Sequence, residues 1–323
     1  MRRAFYDKRN FTSVNDIPDL KKALDVAFEV RKNPFAFSHL GKNKTMVLIF
    51  FNSSLRTRLS TQKAAMNLGM NTMVLNVNDD GWQLETELGV VMDGSKPEHL
   101  REAVPVIGSY CDIIGVRSFA RFESRDDDYG EKILNQFIDF AGVPVVSMEA
   151  ATRHPLQSFA DLMTIEELKT KEKPKVVLTW APHPRALPQA VPNSFVEWMR
   201  KAEYELVVTH PEGYELAPEF MEGLSVEYNP DKAFEGADFI YAKNWASYTD
   251  YGRILSQDRS WTVDSRRMAL TDNARFMHCL PVRRNMIVTD EVIDSPASVV
   301  IREAANREWS AMAVLKMILE GKK

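Results

Sequence analysis

The stretch IFFNSSLRTRLSTQKAA ends an apolar run in Asn52-Ser53-Ser54 and then carries Arg56 and Arg58 into a helical pattern. A helix start offers backbone N–H groups with no intrahelical partner. Ser54 and Thr57 add hydroxyls there, and Arg56 adds a planar fork of charged donors, which together suit phosphate. Taken alone, S-x-R-T reads as easily as a serine cap with solvated arginines. Four further signals lie along the chain. Arg117 closes the run CDIIGVR, and ligands of open parallel sheets bind beyond the carboxyl ends of strands. EAATRHPLQ, Glu149 to Gln157, sets His154 and Gln157 three residues apart, with Pro155 at a favoured first helical position. HCLPVRR, His278 to Arg284, has a proline that stops a strand and can aim the carbonyls of Cys279 and Leu280 at a ligand. EAANRE places Arg307 at the start of the last helix. Each signal is weak alone; their recurrence at strand ends and helix starts gives the set its weight.

The elements that must position these residues are strands alternating with helices. Met46–Phe51, Asn71–Val77, Cys111–Arg117 and Val143–Met148 read as buried strands, separated by helical patterns near Thr57–Leu68, Pro97–Ile107 and Tyr129–Phe140. The cadence repeats in Lys175–Ala181, Tyr204–His210, Leu224–Asn229 and Ala237–Lys243. Such alternation predicts an α/β fold with right-handed βαβ units on mostly parallel sheets. The seam falls within Ala150–Asp161. Two domains are expected, residues 1–152 with a returning C-terminal helix 303–323, and residues 153–302. WAPHPRALPQAVPNSF carries Pro182, Pro184, Pro188 and Pro192 and is expected to be a stiff loop of functional or topological importance.

Composition narrows the function. The 323 residues are 45% hydrophobic and 27% charged, with 41 Lys and Arg against 45 Asp and Glu, a net charge of −4. That length suits about two globular domains, and that charge gives no basic field for a nucleic acid. Any anionic ligand must be held by a few placed arginines. Two cysteines, Cys111 and Cys279, exclude a disulfide framework and a four-cysteine zinc site. No apolar run reaches the roughly 18 residues of a membrane span, and MRRAFYDKRN lacks the features of a secretory signal, so a cytoplasmic protein is expected. No role is assigned to the first ten residues. Neither a GxxxxGK[ST] loop nor a GxGxxG after a strand occurs.

Five motifs, SLRT, the arginine after the third strand, HPLQ, HCLP and EAANR, occur in the order and approximate spacing of the aspartate and ornithine carbamoyltransferases, and the chain from Phe11 onward resembles that family. The resemblance implies two doubly wound domains around a central cleft, a trimer with active sites at subunit interfaces, and no metal or redox cofactor. Carried over by motif, Ser54, Leu55, Arg56 and Thr57 would cradle the phosphate of carbamoyl phosphate and Arg307 would complete the anion site. Arg117 and His154 would meet the carbonyl oxygen, while Gln157, Cys279 and Leu280 would meet the carbamoyl amide. Charge building on that oxygen would be stabilised by Arg117, His154 and Thr57.

The acceptor amine is read from departures. Where ornithine carbamoyltransferases carry Asp-x-Trp and Ser-Met-Gly, this chain has Lys243-Asn244-Trp245 and no Ser-Met-Gly. A lysine repels a free α-ammonium but suits the carboxylate of an ornithine whose α-amine is blocked. DDGWQLET with Trp82, MEAATRHPLQ, the proline-rich segment and HCLPVRRN resemble the bacterial N-acylornithine carbamoyltransferases. That resemblance implies that Trp82 reaches a neighbouring subunit's carbamoyl phosphate and that the proline-rich loop is part of a trefoil knot. It also implies that Glu149, Lys243 and Arg283 bind the acylornithine, with Glu149 steering the δ-amine. His183 and Arg185 are weaker candidates for lining the acyl pocket. Acetyl-specific members carry a Glu where Pro97 stands here and a lysine where Ile287 stands. The loss of that Glu leaves room for a longer, anionic succinyl group. Pro97 is also expected to open a helix. The expected substrate is N-succinyl-L-ornithine, with N-acetyl-L-ornithine and then ornithine as alternatives.

Overall fold

The computed structural model describes residues 10–77 and 79–321. Compact units are Met1–Leu156 with Arg307–Lys323, and Gln157–Asn306. Both divisions fall four residues beyond the expected 152 and 302, inside the helices Pro155–Leu168 and Val300–Glu320.

In the first unit, strands β1 (Thr45–Phe50), β2 (Asn71–Asn76), a two-residue pair β3 (Leu84–Glu85) and β4 (Glu98–His99), β5 (Ile113–Arg117) and β6 (Val145–Glu149) are formed. The four longer strands make one parallel sheet in the order β2-β1-β5-β6. Residues Met46 to Phe50 are buried without alternation, as a strand covered on both faces requires. Val47, Ile49, Ile114, Val116 and Val145 pack with Leu100, Val104 and Phe137 from two covering helices. The chain leaves β1 toward β2 on one side and later enters β5 on the other. The carboxyl ends of β1 and β5 therefore flank a topological switch point, where such sheets open a crevice. A register shift between Val116 and Arg117 sets Arg117 opposite Glu149.

The second unit repeats the plan. Strands β7 (Lys175–Trp180), β8 (Glu205–Thr209), β9 (Phe239–Lys243) and β10 (Arg275–Met277) form a parallel sheet in the order β10-β9-β7-β8. Its switch point lies between β7 and β9. One core joins Val177, Ile240, Ala242, Phe276, Val288 and Val292.

Three expectations are corrected. Leu224–Asn229 is no strand: only Val226 bridges β8, since Gly223 and Pro230 confine the segment and much of it is exposed. Pro97 does not open a helix; His99 caps Leu100–Ser109 by accepting the Arg101 N–H at 2.9 Å, and Pro97 precedes β4. The proline-rich segment is not loop throughout, because a helix runs from Ala190 to Lys201 with Pro192 in its first turn, where no intrahelical N–H is needed. Among the described residues no helix is long and apolar enough to cross a membrane.

Candidate active site

In the first unit, the helix Arg56–Asn67 begins at the end of β1 with Ser54 Oγ accepting the Thr57 N–H at 3.2 Å. Leu55, at the cap position, is exposed. Thr57 is buried, and its hydroxyl accepts from Arg307 Nη2 at 2.9 Å. A pair 250 positions apart in sequence is thus joined at the start of a helix whose N–H groups and dipole favour an anion.

At the switch point, Arg117 is 6% exposed. Its Nε donates to Glu149 Oε2 at 3.2 Å, and its Nη2 lies 3.1 Å from the same oxygen. Nη1 donates to the carbonyls of Asn52, at 2.7 Å, and Ser53. The guanidinium carbon sits 4.1 Å from the centre of the Phe119 ring. His154 Nε2 is 3.4 Å from Glu149 Oε2, so one carboxylate oxygen serves both the arginine and the imidazole. Arg117, Glu149 and His154, separated in sequence, form one buried cluster.

Sequence reasoning missed Glu131. Its carboxylate accepts the N–H groups of Ala151, at 3.1 Å, and Thr152, at 2.8 Å, together with the Thr152 hydroxyl. It thereby clamps the loop between Glu149 and His154. Burial is the main cause raising its pKa above the ordinary carboxyl value. Trp82, exposed, donates from Nε1 to Glu98 Oε2 at 2.7 Å, which puts it on the same small β-pair that Pro97 leads into.

In the second unit, Gln157 is buried and bonded to Asp161 and Glu303. After β10, His278 Nδ1 accepts the Leu280 N–H at 2.8 Å, Leu280 adopts a left-handed φ of 53°, and its peptide to Pro281 is cis. Cys279 is buried. At this unit's switch point, Lys243 ends β9, while Asn244 donates to the Ala181 carbonyl at 2.7 Å and Trp245 is wholly buried. Asn244 and Trp245 are thus structural, and Lys243 is the member of the triplet placed at the strand end. Arg283 Nε donates to His183 Nε2 at 3.0 Å, and His183 Nδ1 lies 2.9 Å from the Arg185 carbonyl. Burial first, and then the charges of Arg283, Lys243 and Arg185, lower the His183 pKa. Those cations act on the ring without a carboxylate among its influences. Ile287, in contrast, is core, packed with Val263 and Val288.

The carbamoyl-P binding domain of the aspartate/ornithine carbamoyltransferases matches residues 9–167, and their Asp/Orn binding domain matches residues 188–318. The chain belongs to the aspartate/ornithine carbamoyltransferase family. It is 70% identical over 315 residues to the N-succinylornithine carbamoyltransferase of Bacteroides thetaiotaomicron, covering 97% of this chain and 99% of that protein. To the N-acetylornithine carbamoyltransferase of Xanthomonas campestris it is 37% identical over 302 residues, covering 86% and 88%. Among solved structures, it superposes with a TM-score of 0.91, at 35% identity and over 96% of this chain and 99% of the other, on an N-acetyl-L-ornithine transcarbamylase with one glutamate replaced by proline, in complex with carbamyl phosphate and N-succinyl-L-norvaline.

Proposed function

We propose that the protein transfers the carbamoyl group of carbamoyl phosphate to the δ-amine of N-succinyl-L-ornithine, giving N-succinyl-L-citrulline and phosphate. The observation that carries the choice of amine is the 70% identity, over nearly the whole of both chains, to an N-succinylornithine carbamoyltransferase. The phosphate is seated by the helix start at Ser54, Leu55, Arg56 and Thr57, with Arg307 behind Thr57. Arg117, His154 and the Thr57 hydroxyl face the carbonyl oxygen. The δ-nitrogen lone pair attacks the carbonyl carbon, charge gathers on that oxygen, the C–O bond to phosphate breaks, and the nitrogen's proton passes to the departing phosphate. Donors already held in place need no reorganisation as that charge develops, which is why they accelerate the step. Glu149, anchored by Arg117, steers the amine. Gln157, Cys279 and Leu280 take the carbamoyl –NH2, Trp82 belongs to the carbamoyl phosphate site, Lys243 and Arg283 serve the carboxylate or acyl oxygens of the acylornithine, and His183 and Arg185 line the acyl pocket.

Pro97 supports succinyl over acetyl: a neutral, short side chain stands where the family resemblance places a Glu in acetyl-specific members. Forms of an N-acetyl-L-ornithine transcarbamylase crystallised with N-succinyl-L-norvaline carry one glutamate replaced by alanine, proline, valine or serine. A homotrimer, a cytoplasmic location and a threaded proline-rich segment belong to the same reading and rest on the family resemblance. The test is a side-by-side assay of free, acetylated and succinylated ornithine with carbamoyl phosphate. Succinylornithine should give the highest kcat/KM; efficient turnover of the acetyl compound with none of the succinyl compound would reverse the choice of acyl group.

A further inference from the structure

After β6 the chain turns through residues 150–153 before it reaches His154 and the helix that Pro155 begins. The Ala150 N–H donates to the Arg153 carbonyl at 2.8 Å, which closes the turn on itself. Ala151 and Thr152 are buried, and their N–H groups reach Glu131, 20 and 21 positions earlier in the chain. Ala151 donates to Oε2 at 3.1 Å and Thr152 to Oε1 at 2.8 Å, and the Thr152 hydroxyl donates to Oε1 as well. Glu131 stands at the cap position of the helix Lys132–Phe140 with φ 48° and ψ 41°, in the left-handed region that residues other than glycine seldom enter. Glycine would serve that backbone better; what glutamate adds is the carboxylate. The helix behind it is itself anchored. Lys132 Nζ meets Glu87 at 2.7 Å and Asp127 at 3.1 Å, and Gln136 Nε2 donates to the Thr86 carbonyl at 2.9 Å. The clamp on the turn therefore has a fixed base.

That turn decides where His154 stands relative to Glu149. The two side chains meet at 3.4 Å across it. Glu149 ends a strand, and its carbonyl accepts the Ser118 N–H at 2.9 Å, so its backbone is held by the sheet. His154 lies beyond the strand, on the far side of the turn. We propose that Glu131 is a positioning residue for the transfer, which acts through the turn to set His154 against Glu149 and Arg117. This deepens the proposed reaction and rests on it. Removing the carboxylate takes an acceptor from three donors of buried residues at once, and such donors are made good by water or by movement of the backbone. Movement is what turnover would register, because displacing a positioned group by about 1 Å can cost about 100-fold in rate. The helix start that seats the phosphate, Arg56–Asn67, lies on a different element, so the affinity for carbamoyl phosphate should not follow.

Glu131→Gly keeps the left-handed backbone and deletes the clamp, while Glu131→Gln keeps the size and turns one acceptor into a donor. Both are assayed with carbamoyl phosphate and whichever of free, acetylated and succinylated ornithine the wild-type protein uses best. The kcat should fall about 100-fold in the first and about tenfold in the second, with the KM for carbamoyl phosphate within about threefold of wild type. Because Glu131 acts through His154, adding Glu131→Gln to His154→Gln should change kcat by less than about twofold, whereas independent effects would multiply. A role in stability alone would lower the melting temperature and leave kcat, measured well below it, in place. A folded variant with kcat within about twofold of wild type, a carbamoyl phosphate KM that rises in step with the loss, or losses that multiply in the double variant would each overturn the positioning role. Should Glu131→Gly not fold, Glu131→Gln decides alone. A wild-type protein that carbamoylates none of the three amines overturns the proposed reaction, whereas an active wild type with unaffected variants overturns the positioning role only.

Discussion

Replacing Arg117 by alanine acts through two separable quantities. The guanidinium holds Glu149 at 3.1–3.2 Å and the carbonyls of Asn52 and Ser53, all at a residue 6% exposed. Glu149 is itself only 8% exposed, so losing the arginine leaves a buried carboxylate with His154 as its remaining basic neighbour. Breaking a buried pair from one side costs about 3–5 kcal/mol, a large part of the roughly 5–15 kcal/mol that holds a domain folded. Turnover loses a preorganised oxyanion donor as well, worth about 10²–10³ in kcat. The two effects part in Arg117→Ala/Glu149→Met, which removes the stranded charge. Its thermal midpoint should recover most of the loss, while citrulline-derivative formation stays at least 100-fold below wild type. Citrulline colorimetry alongside a circular-dichroism melt reads both. A folded Arg117→Ala protein with turnover within tenfold of wild type would remove Arg117 from the chemistry. A melting temperature unchanged in the single variant would contradict the ion-pair argument.

On the proposed placement of the acyl group, Pro97→Glu puts a negative charge near the succinyl carboxylate; at ~4 Å the repulsion is ~1–4 kcal/mol, so kcat/KM for succinylornithine should fall about 5- to 1,000-fold relative to acetylornithine, and unchanged selectivity would refute the assignment. His210 is wholly enclosed, with burial lowering its pKa below 6.5, so it folds neutral. Its stabilising contribution is complete above pH 6.5 and is lost as pH falls from there toward the folded value, because the unfolded chain takes up the proton first. Urea titrations of His210→Gln between pH 7 and 5 should show a slope shallower than wild type by up to about 1.4 kcal/mol per pH unit; identical slopes would mean the imidazole titrates equally in both states.

What could be read from the sequence follows from the range of the forces involved. The long apolar runs of β1, β5, β7 and β9 announced buried parallel strands because both faces are covered. Ser54, Thr57, Arg117 and His154 could be singled out because donors at helix starts and strand ends suit an anion, whereas Arg307, expected at the start of the last helix, lies two turns into Val300–Glu320 and reaches Thr57 from there. The structure brings Arg307 to Thr57 and Arg117 to Glu149 and His154. Glu131, Asp161 and Glu303 could not be picked out, since nothing local distinguishes a buried carboxyl from the many solvated ones; their partners lie 21, 4 and 25 positions away. Pro97 misled because proline at a first helical turn and proline before a short strand look alike until His99 is seen to cap the helix. Prolines also concealed the helix at Ala190, where Pro192 sits in the one turn that tolerates it.

The placement of Arg307 has a meaning for how the protein is made. Residues 307–323 belong to the first unit, yet the ribosome reaches them only after the 150 residues of Gln157–Asn306. At about 5–20 residues per second, the first sheet waits roughly 8–30 s for its last helix. During that interval Thr57 lacks the guanidinium that caps it in the finished protein. A nascent chain, or one cut short by a premature stop, therefore has an incomplete anion seat however well its strands have paired. On the proposed reading of that seat, competence waits for the final stretch of translation.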